Sequence, residues 1–211
     1  MTALLVTSGL WRGAPLVLAS KSEGRARVLR EAGLPFEAVD SELDERGHPG
    51  VDALEPREQA IHLAREKARL VSTRYPERVV VGADQTLAFA GGVIHKATDF
   101  EDGLAKLRKL NGATHTLHSA VVGVRDGDVL FEFVKSVEIS MRKIGDRALA
   151  AYACAMGEKF LMTVGGYEIE GFGANLLENV SGDLFAVIGL PLLPLLAELR
   201  RIGQIDEDIE T

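Results

Sequence analysis

Asp84 ends a run of apolar and small residues, and its position is the first chemical signal in the sequence. The segment VVVGAD, residues 79–84, is typical of the end of a buried strand. A carboxylate there is costly unless it meets a cation or several hydrogen-bond donors. Such a carboxylate can hold a divalent cation or accept a proton from water, so Asp84 is the candidate catalytic residue.

Two predicted helices carry a cation on their apolar side. Lys67 has apolar residues three and four positions away in both directions, so it is predicted to face the buried side of a helix over 56–75. By the same test Arg25 faces inward, whereas Arg27 faces solvent and should matter little to catalysis. Taken alone, Lys67 also fits a lysine whose stem lies along the edge of the core. The segment SKSEG before Arg25 fits either a serine N-cap or an anion site at a helix N-terminus.

Six residues at strand ends, in loops or on inward helix faces form one candidate site: Ser20, Arg25, Glu45, Lys67, Asp84 and Lys96. Three cations and two carboxylates that converge in one cleft are typical of a site for a Mg²⁺-bound polyphosphate. Glu45 and Asp84 supply the oxygen ligands that such a metal prefers. The acidic segment SELDE around Glu45, considered alone, also fits a solvated loop.

Strands that alternate with helices at both ends, with a long hairpin between them, predict an α/β fold with a mixed sheet and flanking helices. The predicted strands are 15–20, 36–39, 78–83, 86–90, 93–94, 114–124, 129–142 and, with a turn, 184–190. The predicted helices are 25–32, 56–75, 99–111, 145–156 and 191–202. We expect one domain over residues 1–211, with 1–14 as an N-terminal extension.

Composition narrows the partners that this chain can have. The 211 residues are 46% hydrophobic and carry a formal charge of −7, which disfavours binding to nucleic acid. The apolar stretch 185–197 contains two prolines and is too short to span a bilayer, so no membrane association is expected. The single cysteine, Cys154, excludes an internal disulfide, is expected to be an inert core group, and fits a cytoplasmic location.

Five separate segments, in order and spacing, resemble the Maf family of nucleotide pyrophosphatases over residues 16–203. The resemblance is carried by LASKSEGRARVLREAGLPFE, SELDE, AREKA, VVGADQTL with HKATDFEDGLAKLRKLNGATHTLHSAVVGV, and GGYEIEGFGANLLENVSGDLFAVIGLPLLPLLAELR.

This resemblance implies an elongated, twisted mixed sheet with flanking helices and a central cleft, like that of Maf and inosine-triphosphatase-like proteins. It implies hydrolysis of a nucleoside triphosphate to the monophosphate and pyrophosphate, with Mg²⁺ or Mn²⁺ as cofactor, and it admits a homodimer. Asp84 would be the proton acceptor, and Ser20, Arg25, Glu45, Lys67 and Lys96 would surround the phosphates and the metal.

Three further positions bear on the base. Gln85 stands where the dTTP/UTP branch of the family has threonine, and Glu170 stands where that branch has glutamine; both are similar to the branch that hydrolyses 7-methyl-GTP. Gly24 departs from that branch, which carries an aromatic residue there. The alternatives are a dTTP/UTP pyrophosphatase, a non-catalytic nucleotide-binding regulator of cell division, and a phosphatase that releases single phosphates.

Overall fold

The computed structural model describes residues 9–44, 48 and 50–206, and in these residues seven strands form one mixed sheet. The strands are β1 (Leu16–Ala19), β2 (Phe36–Val39), β3 (Val80–Phe89), β4 (Gly92–Ile94), β5 (Thr114–Arg125), β6 (Asp128–Met141) and β7 (Leu177–Ser181). The α-helices are α1 (Glu23–Glu31), α2 (Pro56–Ser72), α3 (Phe100–Leu110), α4 (Asp146–Met156), α5 (Lys159–Met162), α6 (Leu184–Ile188) and α7 (Leu192–Arg201). Short 3-10 helices span Val51–Ala53 and Phe172–Leu176. The predicted mixed α/β fold is confirmed.

The sheet has the order β2-β1-β3-β5-β6-β7, and β4 pairs with β3 outside this path. Strand β1 is parallel to β2 and β3, and the other pairings are antiparallel. Strand β5 occupies one edge of β3 from Val80 to Ala88. Strands β1 and β4 must therefore share the opposite edge of β3.

That shared edge has an opening, which we call the strand gap. Strand β1 pairs with β3 only as far as Gly82, and β4 begins to pair with it at Leu87. Within the described part of the chain, residues 83–86 of β3 therefore have no strand partner on this side. The gap lies in the middle of the sheet, where the two walls of a cleft can form.

The sequence predicted two strands, 78–83 and 86–90, with Asp84 between them, and this was wrong. Strand β3 continues through Asp84 and Gln85, because these residues pair with Ala120 and Ser119 of β5. Asp84 lies near the end of the β1 pairing rather than at the end of its own strand.

The C-terminal part of the chain contains two further differences from the predicted elements. The predicted strand 184–190 instead contains helix α6: Asp183 accepts a hydrogen bond from the Phe185 N–H at its start, and Gly189 ends it with a left-handed φ of 105°. The strand before it, β7, was missed. The predicted β5–β6 hairpin and the helix 99–111 are confirmed, whereas Cys154 is exposed and does not belong to the core.

Helices cover both faces of the sheet. On one face, α2 packs its small residues against β1, β3 and β5, in a cluster that includes Ala64, Ala68 and Val80. On the other face, α1 and α7 pack against Leu16, Leu18 and neighbouring apolar residues. A third cluster joins α3 and α4 to the far half of the sheet. No helix in the described ranges is both long and apolar enough to cross a bilayer.

Gly82 permits an unusually close approach of α2 to β3. A Cβ atom added at this residue would lie 2.1 Å from the carbonyl oxygen of Ala64 and 2.8 Å from the backbone nitrogen of Ala68. Both contacts are with helix backbone, which cannot rotate away. A side chain at position 82 would therefore force α2 away from the sheet.

We predict that Gly82→Ala lowers the free energy of unfolding by about 1–3 kcal/mol or more, because the extra methyl group overpacks a rigid contact. Urea unfolding followed by circular dichroism measures the change. The matched control is Gly92→Ala on the edge strand β4, where the nearest atom to an added Cβ lies 4.0 Å away. Equal effects of the two substitutions on the free energy of unfolding would show that the close α2–β3 contact does not determine how a methyl group is tolerated at position 82.

Candidate active site

Lys67 and Asp84 form a buried ion pair beside the strand gap. The Lys67 Nζ donates to Asp84 Oδ1 at 2.6 Å, and each side chain is only 7% exposed. Asp84 lies on the same face of β3 as Gly82, two residues earlier, and therefore faces α2. The predicted inward orientation of Lys67 is confirmed. Because a buried ion pair seldom stabilises a fold better than apolar packing would, a chemical role explains this pair better than stability does.

Arg25 reaches the strand gap from helix α1. Its Nη1 donates to the carbonyl oxygen of Ala83 at 2.8 Å and to Ser20 Oγ at 3.0 Å, and its Nε donates to the carbonyl oxygen of Gly189 at 3.0 Å. The guanidinium therefore satisfies the first backbone carbonyl that β1 leaves without a strand partner. The predicted inward orientation of Arg25 is confirmed.

The start of α1 combines the two interpretations of SKSEG. Ser22 Oγ accepts from the Arg25 N–H at 3.4 Å as the N-cap, and Ser20 Oγ accepts from the Ser22 N–H at 3.2 Å. The first-turn N–H groups of Glu23 and Gly24 have no acceptor within the helix, as in any α-helix. The helix dipole therefore favours an anion at this end.

Gln85 faces the opposite side of the sheet from Asp84. Its Nε2 lies near three acceptors: Ser119 Oγ and the Ala186 carbonyl oxygen at 2.8 Å each, and the Val187 carbonyl oxygen at 3.1 Å. Since Ser119 donates its own proton to the Ala186 carbonyl oxygen at 2.6 Å, all three positions require a donor. The amide orientation of Gln85 is thus fixed, and Oε1 is directed away from these groups.

Ser119 is a buried hydrogen-bond partner of Gln85 that the sequence interpretation missed. It is fully buried in β5, opposite Gln85, among apolar residues. The alternation in THTLHSAVVGV gives the available signal, because it places a hydroxyl in a run that otherwise faces the core.

Gly24 lies on the surface of α1 that faces the C-terminal part of the chain, and Glu170, in that part of the chain, lies next to α1. A Cβ at Gly24 would meet Ile188 Cγ2 at 3.3 Å, so even a small side chain there would press on α6. Glu170, in the loop before the 3-10 helix Phe172–Leu176, forms an ion pair with Arg27. Arg27 is 38% exposed, in agreement with its predicted place on the solvated side of α1, and its partner comes from a loop 143 residues later in the chain, which a helix-face test cannot reveal.

Lys96 is exposed and follows the end of β4. Because Ile94 lies opposite Leu87, the chain at Lys96 runs back toward Gln85 and the strand gap. The Lys96 carbonyl oxygen accepts from Lys106 Nζ at 3.2 Å. The other predicted metal ligand, Glu45, lies outside the described residues. The structure thus brings Ser20, Arg25, Lys67, Asp84 and Gln85 around the gap, with Lys96 beyond its β4 side.

Comparison with known proteins gives a consistent result. The family model for Maf-like proteins matches residues 15–202. A nucleoside triphosphate pyrophosphatase of Rhodopseudomonas palustris (strain HaA2) is 45% identical over 193 residues, which cover 90% of this chain and 96% of the relative. A 7-methyl-GTP pyrophosphatase of Rhizobium etli is 44% identical over 197 residues, which cover 90% of this chain and 98% of the relative. Among solved structures, a HAM1 protein from Coxiella burnetii matches 61% of this chain and 73% of its own, at 16% identity and a TM-score of 0.40.

The match to the family model extends over both walls of the strand gap and over the glycine loop that carries Glu170. It includes Lys67 and Asp84, and the two relatives match at nearly full length. This chain therefore belongs to the Maf family.

Proposed function

We propose that this protein hydrolyses a nucleoside triphosphate to the nucleoside monophosphate and pyrophosphate. The observation that carries the proposal is the buried Lys67–Asp84 pair at the strand gap, with Arg25 bound to the residue that precedes Asp84 in β3. The names of the curated relatives support the same reaction. A protein that only binds nucleotides could dispense with the buried acid, so the pair favours turnover over the non-catalytic alternative.

In the proposed mechanism, Asp84 accepts a proton from a water molecule that attacks the α-phosphorus, and the bond to the bridging oxygen breaks as pyrophosphate leaves. Lys67 orients the carboxylate through Oδ1, so that Oδ2 remains to act as the base. Arg25, Lys96 and the N-terminus of α1 place positive charge where the phosphate oxygens would lie.

A divalent cation, Mg²⁺ or Mn²⁺, belongs to the proposal, with Asp84 and Glu45 as its protein ligands. The described residues contain no cluster of three metal-ligating side chains. This fits Mg²⁺, which commonly uses one or two carboxylates together with substrate phosphates and water. When bound, the cation neutralises negative charge on the phosphates.

Phosphorus NMR of a nucleotide panel with Mg²⁺ or Mn²⁺ tests the reaction. We expect pyrophosphate and monophosphate in equal amounts from wild type, and about 10²–10⁴-fold less turnover from Asp84→Asn, because an amide cannot accept the proton. The variant should remain folded, since its amide oxygen can still accept from Lys67. A thermal melt by circular dichroism verifies this.

Release of orthophosphate would favour the phosphatase alternative, and tight binding without turnover would favour the regulator. Turnover of Asp84→Asn within about threefold of wild type at saturating metal would remove Asp84 from the mechanism.

Arg25 gives a second prediction, because its planar fork holds three acceptors at the gap. Arg25→Lys keeps one positive charge but cannot reproduce this geometry, so kcat/KM should fall at least about tenfold. Lys96→Ala should also lower kcat/KM. The control is Arg30→Lys on the same helix, where Arg30 pairs with Glu23 on an exposed surface. Equal losses for positions 25 and 30 would contradict the assignment.

For the base, we propose that 7-methyl-GTP is preferred over dTTP and UTP. Guanine presents two neighbouring donors, N1–H and the exocyclic amine, from which the Glu170 carboxylate can accept hydrogen bonds. A methyl group at N7 adds positive charge to the ring and strengthens this interaction. Thymine and uracil present one donor between two carbonyl oxygens, which a carboxylate repels.

The double substitution Glu170→Gln with Gln85→Thr should shift preference toward dTTP and UTP by roughly tenfold or more, because a mismatched buried polar group costs about 1–3 kcal/mol. The measurement is the ratio of kcat/KM values for 7-methyl-GTP and the two pyrimidine nucleotides. Faster hydrolysis of dTTP or UTP by wild type would overturn the base assignment and leave the pyrophosphatase assignment intact.

A further inference from the structure

We propose that Arg27 is a specificity-determining residue that acts on the base through Glu170. The positive charge of Arg27 offsets the negative charge of the Glu170 carboxylate. It thereby lowers the preference of the site for the cationic base of 7-methyl-GTP relative to the neutral base of GTP. The inference rests on the proposed function, in which Glu170 faces the base.

The first support is the contact itself. Arg27 Nη2 donates to Glu170 Oε1, and the two side chains are 38% and 27% exposed. Across residues 9–44, 48 and 50–206, Glu170 forms no other hydrogen bond or ion pair. The orientation of this carboxylate therefore depends on Arg27, and the two side chains together carry no net charge.

The second support is the rigidity of the element that carries Arg27. Helix α1 is held by the Ser22 N-cap and by the buried side chains of Ala26, Val28 and Leu29. Glu170, by contrast, lies in the glycine-rich loop between α5 and the 3-10 helix Phe172–Leu176. The rigid helix α1 thus positions the Arg27 guanidinium, and this group orients the Glu170 carboxylate of the loop.

The third support comes from positions 24 and 27, which are one helical turn apart and lie on neighbouring parts of the α1 surface. Gly24 contributes no side chain, so position 24 places nothing between the Arg27 guanidinium and the Glu170 side of the helix. Because the guanidinium contacts Glu170, it is a charge of α1 that a base bound at Glu170 would meet.

Stability does not explain the Arg27–Glu170 pair. Ion pairs with partly exposed partners usually contribute little to folding because solvent screens them. Helix α1 carries a second such pair, Arg30–Glu23, with side chains 56% and 79% exposed. That pair joins two residues of α1 and does not include Glu170, so it provides a matched control on the same helix.

The sign of the effect follows from charge. A lone carboxylate attracts a cationic ring more strongly than it attracts a neutral ring. When a guanidinium is paired with the carboxylate, the two charges largely cancel, and this extra attraction to the cationic ring is much weaker. Neutral guanine depends mainly on the hydrogen bonds to the carboxylate, for which Oε2 and the second lone pair of Oε1 remain. Removal of the Arg27 charge should therefore favour 7-methyl-GTP over GTP.

The experiment compares kcat/KM for 7-methyl-GTP and GTP in wild type, Arg27→Gln, Glu170→Gln and Arg30→Gln. Glutamine at position 27 removes the charge and keeps an N–H donor on a shorter side chain. We expect Arg27→Gln to raise the ratio of 7-methyl-GTP to GTP by about three- to tenfold at low salt, as for partly screened charges. The increase should shrink at about 0.5 M NaCl, where the screening length is only a few ångströms.

Arg30→Gln should leave the ratio unchanged, and Glu170→Gln should lower it. If Glu170→Gln lowers the ratio but Arg27→Gln does not raise it, or raises it equally at both salt concentrations, the role of Arg27 is overturned and the base assignment survives. If Glu170→Gln leaves the ratio unchanged, the base assignment fails and the inference fails with it. A purely structural role of Arg27 would alter the two nucleotides equally.

Discussion

The close contact of helix α2 with strand β3 at Gly82 is the constraint on which the site depends. Because no side chain intervenes at this residue, the backbone of α2 at Ala64 and Ala68 lies directly on the sheet. Lys67 lies in the helical turn between these alanines. Its side chain is therefore buried away from water and close to Asp84, two residues after Gly82 in β3. A buried lysine needs an acid within reach, and the buried acid needs the lysine. The packing of small residues thus fixes the geometry of the charged ones.

The strand gap connects this packing to the rest of the fold. An opening in the middle of a sheet leaves backbone groups without partners, which is costly unless side chains or a ligand satisfy them. Arg25 does this for the Ala83 carbonyl oxygen and also binds Ser20 and Gly189, so that β1, β3 and the end of α6 meet at one guanidinium. The residues that satisfy the backbone groups at the strand gap therefore also line the candidate site.

The sequence was most informative where local periodicity decides the structure. Apolar spacing of three and four correctly oriented Lys67 and Arg25, and the turn signal between two β runs located the β5–β6 hairpin. It failed where distant partners decide: β3 continues through Asp84 because β5 pairs with it. The ion pair of Arg27 with Glu170 was not foreseen for the same kind of reason, since its partner lies far away in sequence.

The two halves of the candidate site are built with different physical means. On the proposed phosphate side, Lys67 and Asp84 are each 7% exposed and sit in close-packed surroundings, so only substitutions that keep their size and hydrogen bond leave the fold intact. On the proposed base side, Arg27 and Glu170 are partly exposed, and their interaction is screened by solvent. Substitutions on the base side should therefore change which nucleotide binds at little cost to the fold. A family built on one sheet can in this way keep its phosphate chemistry while its base preference varies.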